Sequence, residues 1–364
     1  MNLTSMPHRS GSVLCHLFAL RSRKADRLHQ QQRIAMTDRT AKHAASVPLV
    51  LVLQGPTASG KTALAHGLAD VFPLEIISAD SRQVYCGLDI GTAKPTEAER
   101  KRYRYYGIDL CTPDQSISAG QFARWAWEWI GEIAARGKVP IIVGGSGLYV
   151  RAITEGLFEE SGRISPAIRS QLAERLAREG RQALYAELER LDPESAARYS
   201  DQNPRRILRA LEFYYAYGIP LSLAQSTLLH QPPPMRIVRI TLLPERSALY
   251  ERIAQRVHRM WEAGLVEETQ HLLSHGYDRS LPIFTTIGYA EALMVIQGHL
   301  DRSSAIERTI VRTRRYAKRQ ITWLRNSTPL GTVLPHFGDQ AVNIVQPMID
   351  QLLHSADEYS CDKR

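Results

Sequence analysis

Apolar residues fall along this chain in two rhythms, and the changes between them outline its architecture. Val47 to Gln54, VPLVLVLQ, is a continuous apolar run that stops at a glycine-rich turn. That is the pattern of a strand buried on both faces of a parallel sheet. ALAHGLADVF then repeats at helical spacing, and LEIISAD follows as a second apolar run. The order strand, loop, helix, strand predicts a right-handed βαβ unit. VPIIVGGSGLYV and MRIVRITLLP add two further strands. Alternation of this kind predicts an α/β fold, a parallel sheet with helices on both faces.

Between the last two strands, residues 151–234 read as helix after helix. Ser165 and Pro166 supply an N-cap and a first-turn proline ahead of Ile168, Leu172 and Leu176, and Gly180 closes that helix. PRRILRALEFYYAYG runs from Pro204 to a terminal Gly218, and QPPPM marks the exit. We therefore expect a helical insertion on an α/β core, mobile relative to it. Helices resume after the late strand. In the last of them Arg308, Arg312, Arg315 and Arg319 fall in one narrow stripe, with Glu307 the one nearby acid. Ile306, Ile310, Ala317, Ile321 and Leu324 lie on the opposite side, so one face packs and the other is cationic. The expected organisation is a leader (1–46), a first core segment (47–150), the helical insertion (151–234), a second core segment with basic helices (235–335) and a C-terminal tail (336–364).

Composition sharpens this only in places. With 364 residues, 44% of them hydrophobic, and no apolar run near the ~18 that a membrane span needs, the expectation is a globular protein without a membrane segment. Cys15, Cys86, Cys111 and Cys361 are scattered, form no CxxC pair, and favour a reducing compartment. The net charge of +9 is concentrated: residues 1–46 hold six of those charges. That segment reads as a disordered or misassigned leader rather than a targeting signal, because its basic residues mostly follow its apolar patch, and Met36 offers a compact alternative start.

Chemistry enters with GPTASGKT, residues Gly55, Pro56, Thr57, Ala58, Ser59, Gly60, Lys61 and Thr62. It fits the phosphate-binding loop, with a strand before it and a helix after it. The glycines let backbone amides turn inward, the helix points its positive end at the anion, Lys61 adds a full charge, and the Thr62 hydroxyl suits Mg²⁺. Such a loop specifies a diphosphate, not ATP, so kinase, nucleotide switch and diphosphate-consuming transferase all stay open. Asp80 sits at the carboxyl end of the second strand, the edge where ligands bind in such sheets. It reads equally as a general base or Mg²⁺-associated group and as a turn aspartate. Gly144, Gly145, Ser146 and Gly147 permit close backbone approach at another strand end. The arginine stripe, joined by Arg205, Arg206 and Arg209, suits RNA, against the plainer reading of a solvated surface.

GPTASGKT, DSRQVYCGLDIGTAKP, VGGSGLY, NPRRILRALE, IGYAEAL and AKRQITWLR, in that order, resemble the tRNA dimethylallyltransferases, the bacterial isopentenyl-tRNA transferases. The resemblance covers roughly Val47 to Pro335. It implies a P-loop NTPase-like parallel sheet with a helical insertion that contacts tRNA. The activity it implies is transfer of a dimethylallyl group from dimethylallyl diphosphate to N6 of the adenosine just 3′ of the anticodon, in tRNAs reading codons that begin with U. Mg²⁺ is the implied cofactor, and a tRNA anticodon stem-loop the implied partner. By family position, Asp80 is the base, and Lys61, Thr62 and Arg256 serve the diphosphate. Asp80, Ser81, Arg82, Gln83, Ser146, Arg169, Arg205, Arg206, Ile207, Leu208, Arg209, Lys318, Arg319 and Gln320 match tRNA-contacting segments. Ser146 stands where the family usually has threonine, and Thr285 and Ala290 flank Gly288 and Tyr289 where basic residues are frequent. The absence of a C-terminal Cys/His finger favours a bacterial, cytoplasmic enzyme, and a monomer is expected. Three rivals stand beside this reading: a small-molecule kinase, an adenylate isopentenyltransferase acting on free AMP or ATP, and a non-catalytic RNA-binding module.

Overall fold

The apolar run that opens the sheet is explained by what lies on each side of it. In the computed structural model, which describes residues 47–158, 164–227, 229–327 and 329–361, strand β1 is Leu49–Gln54. Its Val50 and Val52 face one hydrophobic core, and its Leu51 and Leu53 face another. A strand sandwiched in this way has no solvated face, so polar alternation would strand polar groups in apolar surroundings.

The chain continues through α1 (Lys61–Ala69), β2 (Leu74–Ser78), α2 (Glu97–Arg102), β3 (Tyr105–Tyr106), α3 (Ala119–Ala135), β4 (Val139–Gly144) and α4 (Gly147–Glu155). After the helical segment come β7 (Arg236–Leu242), α9 (Arg246–Glu262), α10 (Leu265–Ser274), α11 (Tyr289–Ile296), α12 (Arg302–Ser327), β8 (Thr332–Leu334) and α13 (Gly338–Cys361). The main sheet is wholly parallel in the order β3-β2-β4-β1-β7-β8. β1 and β2, consecutive in the chain, are separated by β4. All carboxyl ends point one way, so the loops after β1, β2 and β4 open on the same edge, where ligands bind in such sheets.

One core lies between the sheet and α3, α4 and α9 to α12, with Phe122, Trp261 and Tyr289 among its buried rings. The other lies between the sheet, α1 and α13, where Ala341, Val345 and Ile349 are fully buried. This corrects the expected tail. From residue 338 the chain forms a helix docked on the sheet, and the Gly338 amide donates to Ser59 O at 3.0 Å.

Residues between the fourth and seventh strands build a third, separate core from Leu172, Leu184, Leu188, Ile207, Leu211 and Phe213. Its elements are β5 (Leu157–Phe158), α5 (Pro166–Leu191), α6 (Pro193–Arg198), α7 (Pro204–Tyr217), α8 (Leu221–Thr227) and β6 (Leu229–His230). β5 and β6 pair antiparallel where the chain leaves and returns. The helical path of α5 breaks at Gly180 (φ 79°, ψ 168°), as the sequence predicts, and a second helical segment follows. Buried Glu187 bridges that break, holding Arg175 at 2.6 Å. Asp192 ties α6 to α8 by accepting bonds from the amides and hydroxyls of Ser195 and Ser222. The expected leader, 1–46, lies outside the described residues. Among those described, no helix is long and apolar enough to cross a membrane.

Candidate active site

The loop after β1 turns through Gly55–Gly60 into α1. Gly60 is left-handed (φ 86°) and offers no side-chain cap, so the first amides of α1 have no partner within the helix. They and the helix dipole form a site for an anion. A Cβ on Gly60 would stand 2.6 Å from Gly338 N, and one on Gly338 would stand 1.9 Å from Gly60 O. The start of α13 therefore rests directly on the phosphate loop, and both positions have to be glycine. Lys61 folds back over the loop, its Nζ donating to Gly55 O at 3.0 Å and Pro56 O at 2.7 Å. Burial pushes its pKa down to about 7, the nearby Arg256 guanidinium adds to the effect, and Asp80 opposes it.

Arg256 reaches the same cleft from α9, where burial lowers its pKa against the pull of Asp80. Asp80 follows β2. Its Oδ1 accepts from the Arg82 amide at 2.8 Å, and its side chain also lines the cleft. The turn contact thus leaves the carboxylate in the cleft. Ser146 Oγ accepts from the Ser81 amide at 3.0 Å, tying the end of β4 to the end of β2. Gln83 is held by Ser78 Oγ at 2.7 Å and donates to the carbonyls of Thr92 and Ala93. Around these residues lies a cleft of about 610 Å³, counting its solvent-open mouth. Thr57, Lys61, Thr62, Asp80, Gln83, Arg256 and Gln320 all line it.

Several expected contacts fall elsewhere. Gln320 is not on an exposed RNA face: it is 8% exposed and bonded to the phosphate loop. Ile207 is fully buried in the helical core, because α7 turns that position inward, and Leu208 is half-buried. Arg205 and Arg206 are exposed on α7, with Arg206 over the Tyr199 ring at 5.8 Å, and Arg209 is half-buried. Arg169 on α5 is exposed, 3.7 Å from Glu212. Lys318 and Arg319 are exposed on α12. The arginine stripe is not single-signed. Glu291, with no exposure, pairs with Arg312 and lies 3.6 Å from Arg308. The acid comes from α11, some twenty residues away, so spacing along α12 gave no sign of it.

Other residues that shape the site were also missed. Glu268 on α10 accepts from the amides of Asp89, Ile90 and Gly91 at 2.9, 2.8 and 3.1 Å, and so fixes the DIGTAKP loop. Lys94, whose side chain is wholly buried, holds Tyr85 O, Asp89 and Asp109 together. Tyr316 lines the cleft, and burial with help from Asp80 pushes its pKa to about 12. Lys94 lies inside a quoted motif, but Glu268 and Tyr316 carry no local signal. Among the described residues no cluster of three or more His, Cys, Asp or Glu is placed to hold a metal. An ion here would rest on the Thr62 hydroxyl and on oxygens of its ligand.

The profile of the IPP transferase family matches residues 83–327. The tRNA dimethylallyltransferase of Methylococcus capsulatus is 42% identical over 308 residues, covering 83% of this chain and 98% of that protein. The full-length tRNA isopentenylpyrophosphate transferase of Bacillus halodurans superposes with a TM-score of 0.60 at 34% identity, over 86% of this chain and 99% of that one. A eukaryotic dimethylallyltransferase acting on tRNA shares the fold, with a TM-score of 0.69 at 24% identity over 87% and 80% of the two chains. A parallel sheet with a phosphate loop at its carboxyl edge, and these matches across most of its length, place the chain in one family: it belongs to the IPP transferases.

Proposed function

We propose that this enzyme transfers a dimethylallyl group from dimethylallyl diphosphate to N6 of the adenosine just 3′ of the anticodon, in tRNAs that read codons beginning with U. The observation that carries this reading is the meeting of a phosphate loop, two half-buried basic side chains and a carboxylate in one cleft. The diphosphate lies on the first amides of α1, with Lys61 turning from its carbonyl contacts to the phosphates. The bond between the prenyl carbon and the diphosphate oxygen breaks, and its electron pair leaves with the diphosphate. Lys61 and Arg256 stabilise that charge. The N6 lone pair makes the new C–N bond, and its proton passes to Asp80. An aromatic amine is a weak nucleophile, so a placed base matters.

Mg²⁺ fits this donor set, because the ion prefers hard oxygens and keeps water and phosphate as ligands, needing little from the protein beyond the Thr62 hydroxyl. When bound, it neutralises charge on the leaving diphosphate. The adenine must leave its stack to reach the cleft, which an anticodon loop permits. Gln83 lines the cleft, and Ser81, Arg82 and Ser146 adjoin its lining residues in the chain, for contact with that RNA, while Arg169, Arg205, Arg206, Arg209, Lys318 and Arg319 offer charge to its backbone. The enzyme acts as a monomer in the cytoplasm on this reading.

The test supplies labelled dimethylallyl diphosphate with tRNA, with free adenine nucleotides, or with neither, and reads prenylated adenine by mass. Label in tRNA at that adenosine is expected. Label only in free nucleotide, or phosphate moved from ATP to a small metabolite, would overturn the proposal.

A further inference from the structure

The carbonyl of Ser59 and the amide of Gly60 belong to one peptide unit, and the last helix holds one end of it. Gly338 N–H donates to Ser59 O at 3.0 Å. A trans peptide is planar, with C=O and N–H pointing in opposite directions, so a carbonyl fixed towards α13 turns the Gly60 N–H away from it. Among the described residues that N–H has no partner, and it stands next to the unpaired first amides of α1. Little else sets this peptide. Ser59 is fully buried, its hydroxyl has no hydrogen-bond partner among the described residues, and its own amide makes a long bond, 3.3 Å, to Pro56 O.

The start of α13 is itself held from a second side. Asp339 Oδ1 pairs with Arg252 of α9 at 2.8 Å, and the Arg252 guanidinium lies over the Phe337 ring, 4.2 Å from its centre. One turn along the same helix, Arg256 lines the cleft. Residues 337–339 thus join the phosphate loop to the helix that carries Arg256.

We propose that Gly338 is a positioning residue for the phosphate loop: by holding the Ser59 carbonyl, it keeps the Gly60 N–H turned to the bound diphosphate. This rests on the reading that the loop holds the diphosphate of a prenyl donor, and adds which distant segment presets one of its donors. An amide fixed before the ligand arrives binds it without the cost of being ordered. Gly338 itself touches no ligand. Brace and ligand hold opposite ends of one peptide, so each strengthens the other, and the coupling is reciprocal.

The experiment measures binding of inorganic pyrophosphate to the full chain by calorimetry at constant Mg²⁺ and pH, alongside denaturant unfolding. Gly338→Ala sets a methyl group 1.9 Å from Gly60 O, and Gly338 is not left-handed, so the substitution acts through that contact. Ile349→Ala lies further along the same helix, in the core beneath the sheet rather than on the loop, and lowers stability alone. Pyrophosphate should bind Gly338→Ala about tenfold more weakly, the scale of a hydrogen bond to a charged acceptor, and Ile349→Ala as tightly as wild type. Wild-type affinity in Gly338→Ala would overturn the inference. Equal weakening in Ile349→Ala would do the same, by reducing the effect to lost stability. The wild-type protein gives a second reading that needs no variant to fold: saturating pyrophosphate should slow hydrogen exchange across residues 337–340 as well as in the loop. Protection confined to the loop would count against the brace and overturn it. Failure of pyrophosphate to bind the wild type would remove the diphosphate reading and this inference together. Normal binding there with no loss in Gly338→Ala would remove this inference alone.

Discussion

Asp80 joins a local turn contact to a place in the cleft. Its Oδ1 closes a turn on the Arg82 amide while the carboxylate stays in the cleft, so the test must preserve the turn. Asp80→Asn keeps an acceptor for that amide and removes the base. Transfer of label at saturating substrate should fall ~10²- to 10⁴-fold with tRNA binding retained. A rate within a few-fold of wild type would dismiss Asp80 as the base. Lys61 makes a second prediction. With its pKa lowered from 10.5 to about 7, the free protein at pH 8 holds it mostly neutral, whereas a bound diphosphate favours the charged form. Diphosphate binding at pH 8 should therefore take up a proton, and affinity should weaken as pH rises above about 7. Titrations in buffers of different ionisation heat measure the uptake, which should vanish in Lys61→Met. The sign for stability follows from the same shift. The charged lysine costs the fold most below pH 7, and the cost is relieved as pH climbs from about 7 towards 10.5.

At the scale of an element, α12 is the instructive case. Its inner face carries Tyr316 and Gln320 into the cleft, and its outer face carries Arg315, Lys318 and Arg319 to solvent. Arg312 belongs to neither group, because it neutralises buried Glu291, whose other oxygen accepts from the Gly288 amide at 2.9 Å. The arginines of this helix therefore separate into two tests. Arg312→Ala leaves a carboxylate buried without its main partner. It should lower stability by roughly 2 kcal/mol or more, read by denaturant unfolding, and less than the ~3–5 kcal/mol of a fully isolated pair because Arg308 stands nearby. Lys318→Ala with Arg319→Ala should leave unfolding unchanged, while each lost phosphate contact reduces the salt slope of tRNA binding by about one. An unaltered slope would return those two residues to ordinary surface. The same division runs through α7, where Ile207 packs and its neighbours Arg205 and Arg206 are exposed.

At the scale of the molecule, the parallel sheet gathers what the chain scatters. The phosphate loop, Asp80 and the Gly145 loop meet because β1, β2 and β4 end on one edge, α9 adds Arg256, and α12 adds Gln320 from 175 residues beyond Gly145. The last helix completes the opposite layer. Ile349→Ala, at a fully buried position in α13, should cost ~2–5 kcal/mol in denaturant unfolding, as other large-to-alanine core changes do. A chain cut after residue 337 should lose more, since the cut bares the apolar face of α1 and removes the Gly338 contact with the loop. Unchanged stability of that shortened protein would contradict the packing described for α13.

What the amino-acid order determined by itself is local and covalent in range. An unbroken apolar run announced a strand with no wet face, GPTASGKT announced the turn from that strand into a helix, and Gly180 and Gly218 announced helix ends, because each depends on neighbours in the chain. The short motifs, read together, were enough to point to the family. Only the tertiary structure decided that β4 lies between β1 and β2, since pairing partners compete across the whole sheet and alternation does not rank them. It alone gave Arg312 its acid, set Gln320 on the phosphate loop, turned Ile207 inward and made a core helix of an expected tail. In each of these, a side chain's role is set by charge or apolar surface brought from a distant segment. Burial and pairing are properties of the assembled packing, which a residue's own stretch of sequence does not contain.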